Sequence, residues 1–472
     1  MARTQGADVS LGKLTLATAA LKAGKSSVAR GFTDTAAGPP FDRQAARVLR
    51  AWSLAQENKT DQALAVFADI AASAPFAGVF DYQRAMILER AGRNDEAIKT
   101  YEGAINAGMR ISPAIAAYGE LLERTGQKDK ALALYKRMLD EGEDALIAAA
   151  QARVQKGGPP PAAITSVGGA SIGLFSLAAL LVGQADADFY LPYLTLALAL
   201  DPSQDGARIV YAEGLAESGQ KDGAYRALNA VPATSPLYER AQVQTMFLLR
   251  AQENDDGALQ AVKSAADQTH GRLSRLALAD MLRSMEKWNE AEPVYDSLIK
   301  EADPRSKDLW RLYFARGACL ERLGRWPDAE GDLKKALELS PDQPEVLNYL
   351  GYSWIDQGIK LQDGMKLIMR AVELDPDSGY IVDSLGWAYF KQGDYKKAID
   401  QLERAVELSP EDPILNDHLG DAYWRGGRRV EAKYQWQRSL SLKPTDVDAE
   451  TTKGKLAKGL PEEPIKRTAD RR

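Results

Sequence analysis

The sequence contains very few of the residues that most often carry chemistry in proteins. Among 472 residues there is a single cysteine, Cys319, and there are two histidines, His270 and His418. One thiol cannot form a disulfide within the chain, and two histidines are too few for a multi-histidine metal site or a typical histidine-based triad. We interpret Cys319 and His418 as packing residues, although a general base at His418, beside Asp417, is an alternative. We expect no cofactor and no enzymatic activity.

The chain also lacks an excess of positive charge and a long apolar run. Its 60 basic and 66 acidic residues give a net charge of −6, so no global positive field attracts nucleic acid. The longest apolar run, residues 172–182, is interrupted by Gly173 and Ser176 and is too short to cross about 30 Å of hydrocarbon. This run is typical of a buried helix, and we expect neither nucleic-acid binding nor a membrane span.

An export signal is equally hard to find. Residues 14–21 are mildly apolar, but Thr15, Thr18 and the lysines that follow are unlike the core of a signal peptide. The localisation stays open between the cytoplasm and an exported protein whose signal has been trimmed.

A repeat of about 34 residues runs through most of the chain. Near the C-terminus, Gly317, Gly351, Gly386 and Gly420 recur at this interval, and so do the prolines at 341, 376, 410 and 444. Small residues permit close approach of two antiparallel helices, and proline stops a helix because it lacks the amide hydrogen. Upstream, alanines recur at the same interval and are each followed four residues later by an aromatic residue: Ala63 and Phe67, Ala97 and Tyr101, Ala131 and Tyr135.

These markers resemble the tetratricopeptide-repeat (TPR) family. The resemblance is plainest in residues 380–390 (YIVDSLGWAYF), 393–398 (GDYKKA) and 402–410 (LERAVELSP). It implies an all-α fold, a right-handed superhelical solenoid of about twelve antiparallel helix pairs that binds proteins or peptides.

Four regions are predicted along the chain. Residues 1–142 form an N-terminal TPR stack with a divergent first helix pair, and residues 171–444 form a C-terminal stack. Between them, residues 143–170 hold an irregular helix and a segment rich in proline and glycine, interpreted as either a hinge between stacks or a surface loop. Residues 445–472 are predicted to form a capping helix, 446–458, and a disordered charged tail.

The first helix of each repeat is expected to line a groove that binds a partner. The predicted groove residues combine aromatic side chains with three aspartates: Phe314, Asn348, Tyr352, Ile355, Asp383, Trp387, Phe390, Asp417, Asp421 and Trp424. Exposed aromatics are typical partner anchors, although some of these could instead pack between repeats. The aspartates disfavour the acidic chaperone tails that some family members bind, so we expect an apolar or basic segment.

Part of the C-terminal array also resembles a bacterial envelope group. The residues concerned are 348–356 (NYLGYSWID), 383–387 (DSLGW) and 418–424 (HLGDAYW). That group includes a lipoprotein adaptor that delivers cell-wall hydrolases to a carboxyl-terminal-processing protease, which implies a periplasmic or outer-membrane location. Our leading hypothesis is a non-catalytic scaffold or adaptor. The alternatives are a substrate-delivery subunit of such a protease and a cytosolic assembly chaperone.

Overall fold

The computed structural model describes residues 5–33, 39–69, 77–108, 110–142, 144–306 and 308–461. Throughout these ranges the chain forms α-helices, turns and irregular connections, with no strand. The chain forms two compact units, residues 1–278 (unit 1) and residues 279–472 (unit 2).

The described ranges contain 26 helices. Those that begin in unit 1 are α1 Gln5–Lys22, α2 Ser26–Phe32, α3 Pro40–Gln56, α4 Thr60–Ala65, α5 Ala77–Arg90, α6 Asn94–Asn106, α7 Ser112–Arg124, α8 Lys128–Glu141, α9 Ala145–Gln155, α10 Ser166–Ala179, α11 Ala187–Leu200, α12 Asp205–Glu217, α13 Lys221–Asn229, α14 Tyr238–Arg250, α15 Asp255–Thr269 and α16 Arg272–Ser284. Those of unit 2 are α17 Trp288–Glu301, α18 Leu309–Arg322, α19 Trp326–Leu339, α20 Pro344–Asp356, α21 Leu361–Leu374, α22 Gly379–Gln392, α23 Tyr395–Leu408, α24 Pro413–Arg425, α25 Arg429–Ser441 and α26 Asp446–Lys458.

The repeating small residues lie where paired helices touch. A β-carbon added to Gly386 of α22 would lie 2.5 Å from Cγ of Leu402 on α23, so this crossing accepts only glycine. Pro341, Pro376 and Pro410 each follow the end of the second helix of a pair. The predicted all-helical array is confirmed. The repeating alanines are all fully buried: Ala63, Ala97, Ala131, Ala224, Ala258, Ala291, Ala329, Ala398 and Ala432.

The apolar run at 172–182 belongs largely to α10, which carries no charged residue and is buried over most of its length. It packs against α3, α5 and α11. Gly169 lies against the ring of Trp52, and Trp52 donates a hydrogen bond of 2.6 Å to Gln83 of α5. The buried helix predicted from this run is therefore present, and it joins the first helices of the chain within unit 1.

The proline- and glycine-rich segment connects α9 to α10. The carbonyl of Pro159 accepts a hydrogen bond of 2.9 Å from Arg153, and that of Pro161 accepts one of 2.7 Å from Arg124. The segment thus links helices of one compact unit, and the division after residue 278 was not proposed from the sequence. The four predicted regions stay a prediction. The predicted disordered tail lies outside the described residues, apart from a short stretch after α26.

Candidate functional site

The predicted groove residues lie on the first helices of four repeats in unit 2, α18, α20, α22 and α24. Helices α20, α22 and α24 pack side by side, which places equivalent positions of successive repeats next to one another. A chain segment bound along this face would cross all three helices.

An aromatic cluster occupies the middle of this face. The Trp387 ring stacks on Phe390, with centroids 4.7 Å apart, and on His418, with centroids 4.2 Å apart. The Lys391 ammonium lies 5.7 Å from the centroid of the Trp387 ring, within cation–π range. Trp387 and Phe390 remain partly exposed, so the cluster packs between repeats and leaves part of its aromatic surface accessible.

Two polar atoms on this face are buried without a hydrogen-bond partner among the described residues. They are the side-chain oxygen Oδ1 of Asn348 and the indole nitrogen Nε1 of Trp387. The Asn348 residue is only 7% exposed. An unpaired buried polar atom costs about 1–3 kcal/mol, so such atoms typically mark a strained site or a position that an absent group satisfies.

Asp383 is engaged by the next repeat. Its carboxylate lies 2.9 Å from Nδ1 of His418, and both side chains are largely buried. Burial alone would lower the pKa of His418, but Asp383 holds that pKa above the ordinary value of 6.5, with smaller contributions from Asp421 and Asp417. The imidazole therefore acts as the counter-charge of Asp383 and fixes the Trp387 stack.

The other two aspartates are paired with α26. Lys455 donates a hydrogen bond of 2.7 Å to Asp421 and another to Asp417, while Thr452 donates one of 2.8 Å to Asp417. Trp436 donates a further bond of 2.9 Å to Asp421. Burial alone would lower the pKa of Lys455, but the two carboxylates raise it, so the ammonium is charged. The acidity predicted for the groove is largely neutralised within the chain.

Several predicted positions serve packing. Ile355 is 1% exposed and belongs to a core cluster with Ile368 and Leu385, so it is not an outward position, which corrects the sequence-based prediction. Phe314 meets Tyr349 edge-on at 5.6 Å, and Trp424 packs against Trp436 at 5.4 Å. Of the aromatic positions, Tyr352, Trp387 and Phe390 remain as candidates for ligand contact.

Unit 1 contains a second cluster of charged groups, which the sequence analysis missed. Glu123 of α7, whose side chain is fully buried, accepts two hydrogen bonds of 2.6 and 2.8 Å from Arg153 of α9. Glu89 of α5 accepts a bond from Arg124. Two of the aromatic residues that mark the repeat also bind these carboxylates. The hydroxyl of Tyr101 donates a hydrogen bond to Glu89 and that of Tyr135 donates one to Glu123, and each tyrosine follows its glutamate by 12 residues.

Glu120 lies in the same cluster but differs from its neighbours. No hydrogen bond or ion pair joins its carboxylate to any described residue. Burial raises its pKa from 4.5 to about 7, against the opposing effect of Arg124 and Arg153 and with support from Glu123 and Glu89. The carboxylate lines a cavity of about 420 Å³.

Features that would indicate other chemistry are not found in the described part of the chain. Cys319 is buried, and burial raises the pKa of its thiol to about 11, which keeps it protonated. No group of three or more histidine, cysteine, aspartate or glutamate side chains in the described ranges could hold a metal ion. Within the same ranges, no helix combines the length and apolar content that crossing a membrane requires.

Several solved structures are similar to this chain. A chain of the APC/C hetero-tetramer Cut9–Hcn1 shares 17% identity over 95% of this chain and 89% of its own length, with a TM-score of 0.45. A tetratricopeptide repeat protein from Parabacteroides merdae shares 17% identity over 54% of this chain and 97% of its own, with a TM-score of 0.46. MamA shares 24% identity over 37% of this chain and 97% of its own, with a TM-score of 0.30.

The family assignment rests on two family models. The model described as a tetratricopeptide repeat matches residues 48–114, 82–145, 276–344 and 314–378, and the model described as a TPR repeat matches residues 386–427. Together the matches span just over half of the chain, whereas no curated protein sequence matches it. The chain belongs to the tetratricopeptide-repeat family.

Proposed function

We propose that this protein is a non-catalytic scaffold or adaptor that binds a peptide or protein segment on the face formed by α20, α22 and α24. TPR proteins generally mediate protein–protein interactions. In this chain the partner would bind on the face of these three helices. The observation that carries this proposal is the set of partly exposed aromatic side chains on this face, Tyr352, Trp387 and Phe390. Beneath them, Oδ1 of Asn348 and Nε1 of Trp387 are buried without a partner among the described residues, and a ligand reaches them only if the surrounding side chains shift. One acceptor and one donor match the two groups that a peptide bond offers.

The partner segment is apolar and extended. Tyr352, Trp387 and Phe390 supply aromatic surface for apolar side chains, while Asn348 and Trp387 bond to the backbone between them. A strongly basic segment gains little here, because Asp383, Asp417 and Asp421 already hold His418 and Lys455. These internal pairings support the apolar alternative over the basic one in the expectation drawn from the sequence.

The test compares captured partners between wild type and a double variant. Asn348→Leu removes the unpaired oxygen at similar volume, and Trp387→Phe removes the indole nitrogen while keeping an aromatic ring. Crosslinking in native extract followed by mass spectrometry identifies wild-type partners, and the double variant is expected to lose them. Tyr434→Phe, at a residue 66% exposed on α25, is the matched control. A double variant that folds and keeps every partner would disprove the assignment.

A finer version of the proposal concerns the bacterial envelope. The resemblance of residues 344–444 to an envelope adaptor supports a role in delivering substrates to a carboxyl-terminal-processing protease. Fractionation of cells that express the native protein separates this version from a cytosolic assembly chaperone. A protein found wholly in the cytosol would exclude the protease role and leave the groove assignment intact.

A further inference from the structure

Unit 1 contains a cavity of about 420 Å³ whose walls come from both regular repeats and the segment that breaks the repeat. Helix α7 supplies one wall through Ala116, Ala117 and Glu120. The connection between α9 and α10 supplies another through Ile164 and Thr165. The cavity therefore depends on the segment that breaks the repeat as well as on the regular helix pairs.

Of the three carboxylates in this cluster, Glu89, Glu120 and Glu123, only Glu120 makes no direct ion pair or hydrogen bond with a described residue, although Arg124 and Arg153 lie near enough to attract it. Arg124 is held by Glu89 and the carbonyl of Pro161, and Arg153 is held by Glu123 and the carbonyl of Pro159. Each arginine thus already has a carboxylate and a carbonyl as partners. Among the described groups, Glu120 therefore remains unpaired at the cavity wall, and above pH 7 it carries a negative charge there.

The rest of the lining adds to this negative charge. Asp201 and Asp205 lie in the wall together with Glu89 and Glu120, and Arg124 is the only cationic residue lining the cavity within the described ranges. Asp205 is ion-paired with Arg208 at 3.9 Å and Glu89 with Arg124, so the surplus negative charge comes from Asp201 and from ionised Glu120. Asp201 accepts hydrogen bonds only from neutral groups, Ser203 and Gln204, in the contacts described. A cation entering the cavity would therefore meet net negative charge in a partly water-excluded space, where electrostatic attraction is strong.

A larger cavity of about 580 Å³ adjoins the first. The two share Pro113, Leu146, Gly206, Pro236 and Leu237. The larger one adds the apolar residues Leu139, Phe175, Ile209 and Val210, and it also has charged residues of both signs in its lining: Asp144, Glu239, Arg240 and Arg272. A chain segment longer than one residue can therefore place a charged side chain beside Glu120 and apolar side chains beside Phe175. The acidic surface lies in the smaller cavity and apolar surface lies in the adjoining larger one, which suits a segment with a basic residue next to apolar residues.

We propose that these adjoining cavities form a second partner-binding site, in which Glu120 receives the basic side chain of a partner segment and the larger cavity holds its apolar neighbours. This site lies in unit 1 and is separate from the groove proposed in unit 2. Its partner chemistry also differs, because the groove favours an apolar segment whereas this site requires a cation. A protein with both sites can hold two different segments at once, which raises their effective concentration.

The test uses the full chain and two matched peptide arrays. One array presents acetylated, amidated nonapeptides with a central lysine flanked by leucine, isoleucine, phenylalanine or alanine, and its twin replaces the lysine by norleucine. Wild type is expected to bind the best lysine peptides at least about tenfold more tightly than their twins. Glu120→Gln, which keeps the shape and removes the charge, should abolish that difference. Asp129→Asn, on the exposed surface of α8, should retain it.

The pH dependence separates Glu120 from other carboxylates. The charged groups that act on it are Glu89 of α5, Glu123 and Arg124 of α7, and Arg153 of α9, and Asp201 and Asp205 line the same cavity. Because the pKa of Glu120 is about 7, lysine-peptide affinity should fall about tenfold between pH 8 and pH 6 as the carboxylate gains a proton. The Glu120→Gln variant should show no such fall.

Four outcomes would overturn the proposal, the last of them by identifying a different occupant. The first is that no lysine peptide binds wild type better than its norleucine twin. The second is that Glu120→Gln binds as wild type does. The third is that Asn348→Leu, in the groove of unit 2, removes the lysine-dependent binding. A wild-type dimer that Glu120→Gln dissociates would identify a second copy as the occupant and would also refute the proposed partner.

Discussion

The acidic residues of the two units differ in whether they are paired. In unit 2 the three aspartates of the predicted groove are bonded within the chain, Asp383 to His418 and the other two to Lys455. In unit 1 Glu89 and Glu123 are paired in the same way, but Glu120 is not. The number of acids on a face therefore does not give the charge that the face offers to a partner.

The sequence separation between the bonded residues matches the length of the repeat. The bonds from Arg124 to Glu89, from Thr452 to Asp417 and between His418 and Asp383 each span 35 residues, which is one repeat. A charge buried at one position is thus satisfied by the equivalent region of the next helix pair. This pairing avoids the several kcal/mol that an isolated buried charge costs.

Removing the shared counter-ion of unit 2 should have the largest effect. Lys455→Met leaves Asp417 and Asp421 buried without a cation, and we expect it to lower the local free energy of unfolding of α24 to α26 by about 3 kcal/mol. Hydrogen exchange with mass spectrometry measures this loss. Lys453→Met is the control on the same helix, because its exposed ion pair with Glu450 is worth less than about 1 kcal/mol. Equal losses in both variants would show that Lys455 has no special role.

Removing the unpaired carboxylate of unit 1 should have the opposite sign. The folded-state pKa of Glu120 is about 7, above its ordinary value of 4.5, so its protonated form stabilises the fold below pH 4.5 and that contribution is lost as pH rises through 7. Glu120→Gln should therefore increase the free energy of unfolding by about 2 kcal/mol at pH 8 and by almost nothing at pH 4.5. Urea unfolding at both pH values, followed by circular dichroism, tests this difference. A variant less stable than wild type at pH 8 would contradict it.

The unsatisfied amide of the groove should give a smaller gain in stability. Asn348→Leu removes a buried oxygen that lacks a partner, and we expect about 1 kcal/mol of added stability in α20, measured by hydrogen exchange. Asn416→Leu is the control, because buried Asn416 donates a bond of 2.7 Å to the carbonyl of Asp412 and should lose stability when replaced. Destabilisation by both substitutions would assign Asn348 a structural role.

The smallest effect concerns the titration of His418. Asp383→Asn should lower the pKa of His418, because the negative charge that does most to offset the effect of burial is then removed. Asp421 and Asp417 remain nearby and still favour the protonated imidazole. Since the folded-state pKa exceeds 6.5, the stabilisation from this pair is complete below pH 6.5 and is lost as pH rises through the folded-state pKa. Nuclear magnetic resonance follows His418 directly, because His270 gives the only other histidine signal. An unchanged titration in the variant would exclude Asp383 as the main counter-charge.

The fold could be predicted from the sequence because its markers act locally. Ala398 and Gly386 are small because two adjacent helices touch there, and Pro410 ends a helix by its own covalent structure. In the sequence, α10 is visible only as an apolar run. The run indicates that the helix is buried, but it does not identify the helices that cover it. The division after residue 278 left no sequence marker at all.

The candidate sites were less predictable because their charges depend on partners in other repeats. Asp417 and Asp421 lie on α24, the first helix of a repeat, whereas their counter-ion Lys455 lies on α26, and the pattern of the repeat gives no sign of this pairing. A search for complementary residues one repeat apart would have found Glu89 with Arg124. Glu120 has no such counterpart, and only the coordinates show that it is unpaired.

The contact between α10 and the N-terminal helices constrains the order in which the chain can fold during translation. Repeat proteins usually fold outward from neighbouring units, so that early repeats can form while later ones are still on the ribosome. Here Tyr193 of α11 donates a hydrogen bond to Asp42 of α3, 151 residues earlier. The first helices therefore keep part of their apolar surface uncovered during synthesis until α10 and α11 have emerged, and this interval is when the nascent chain is most exposed to aggregation.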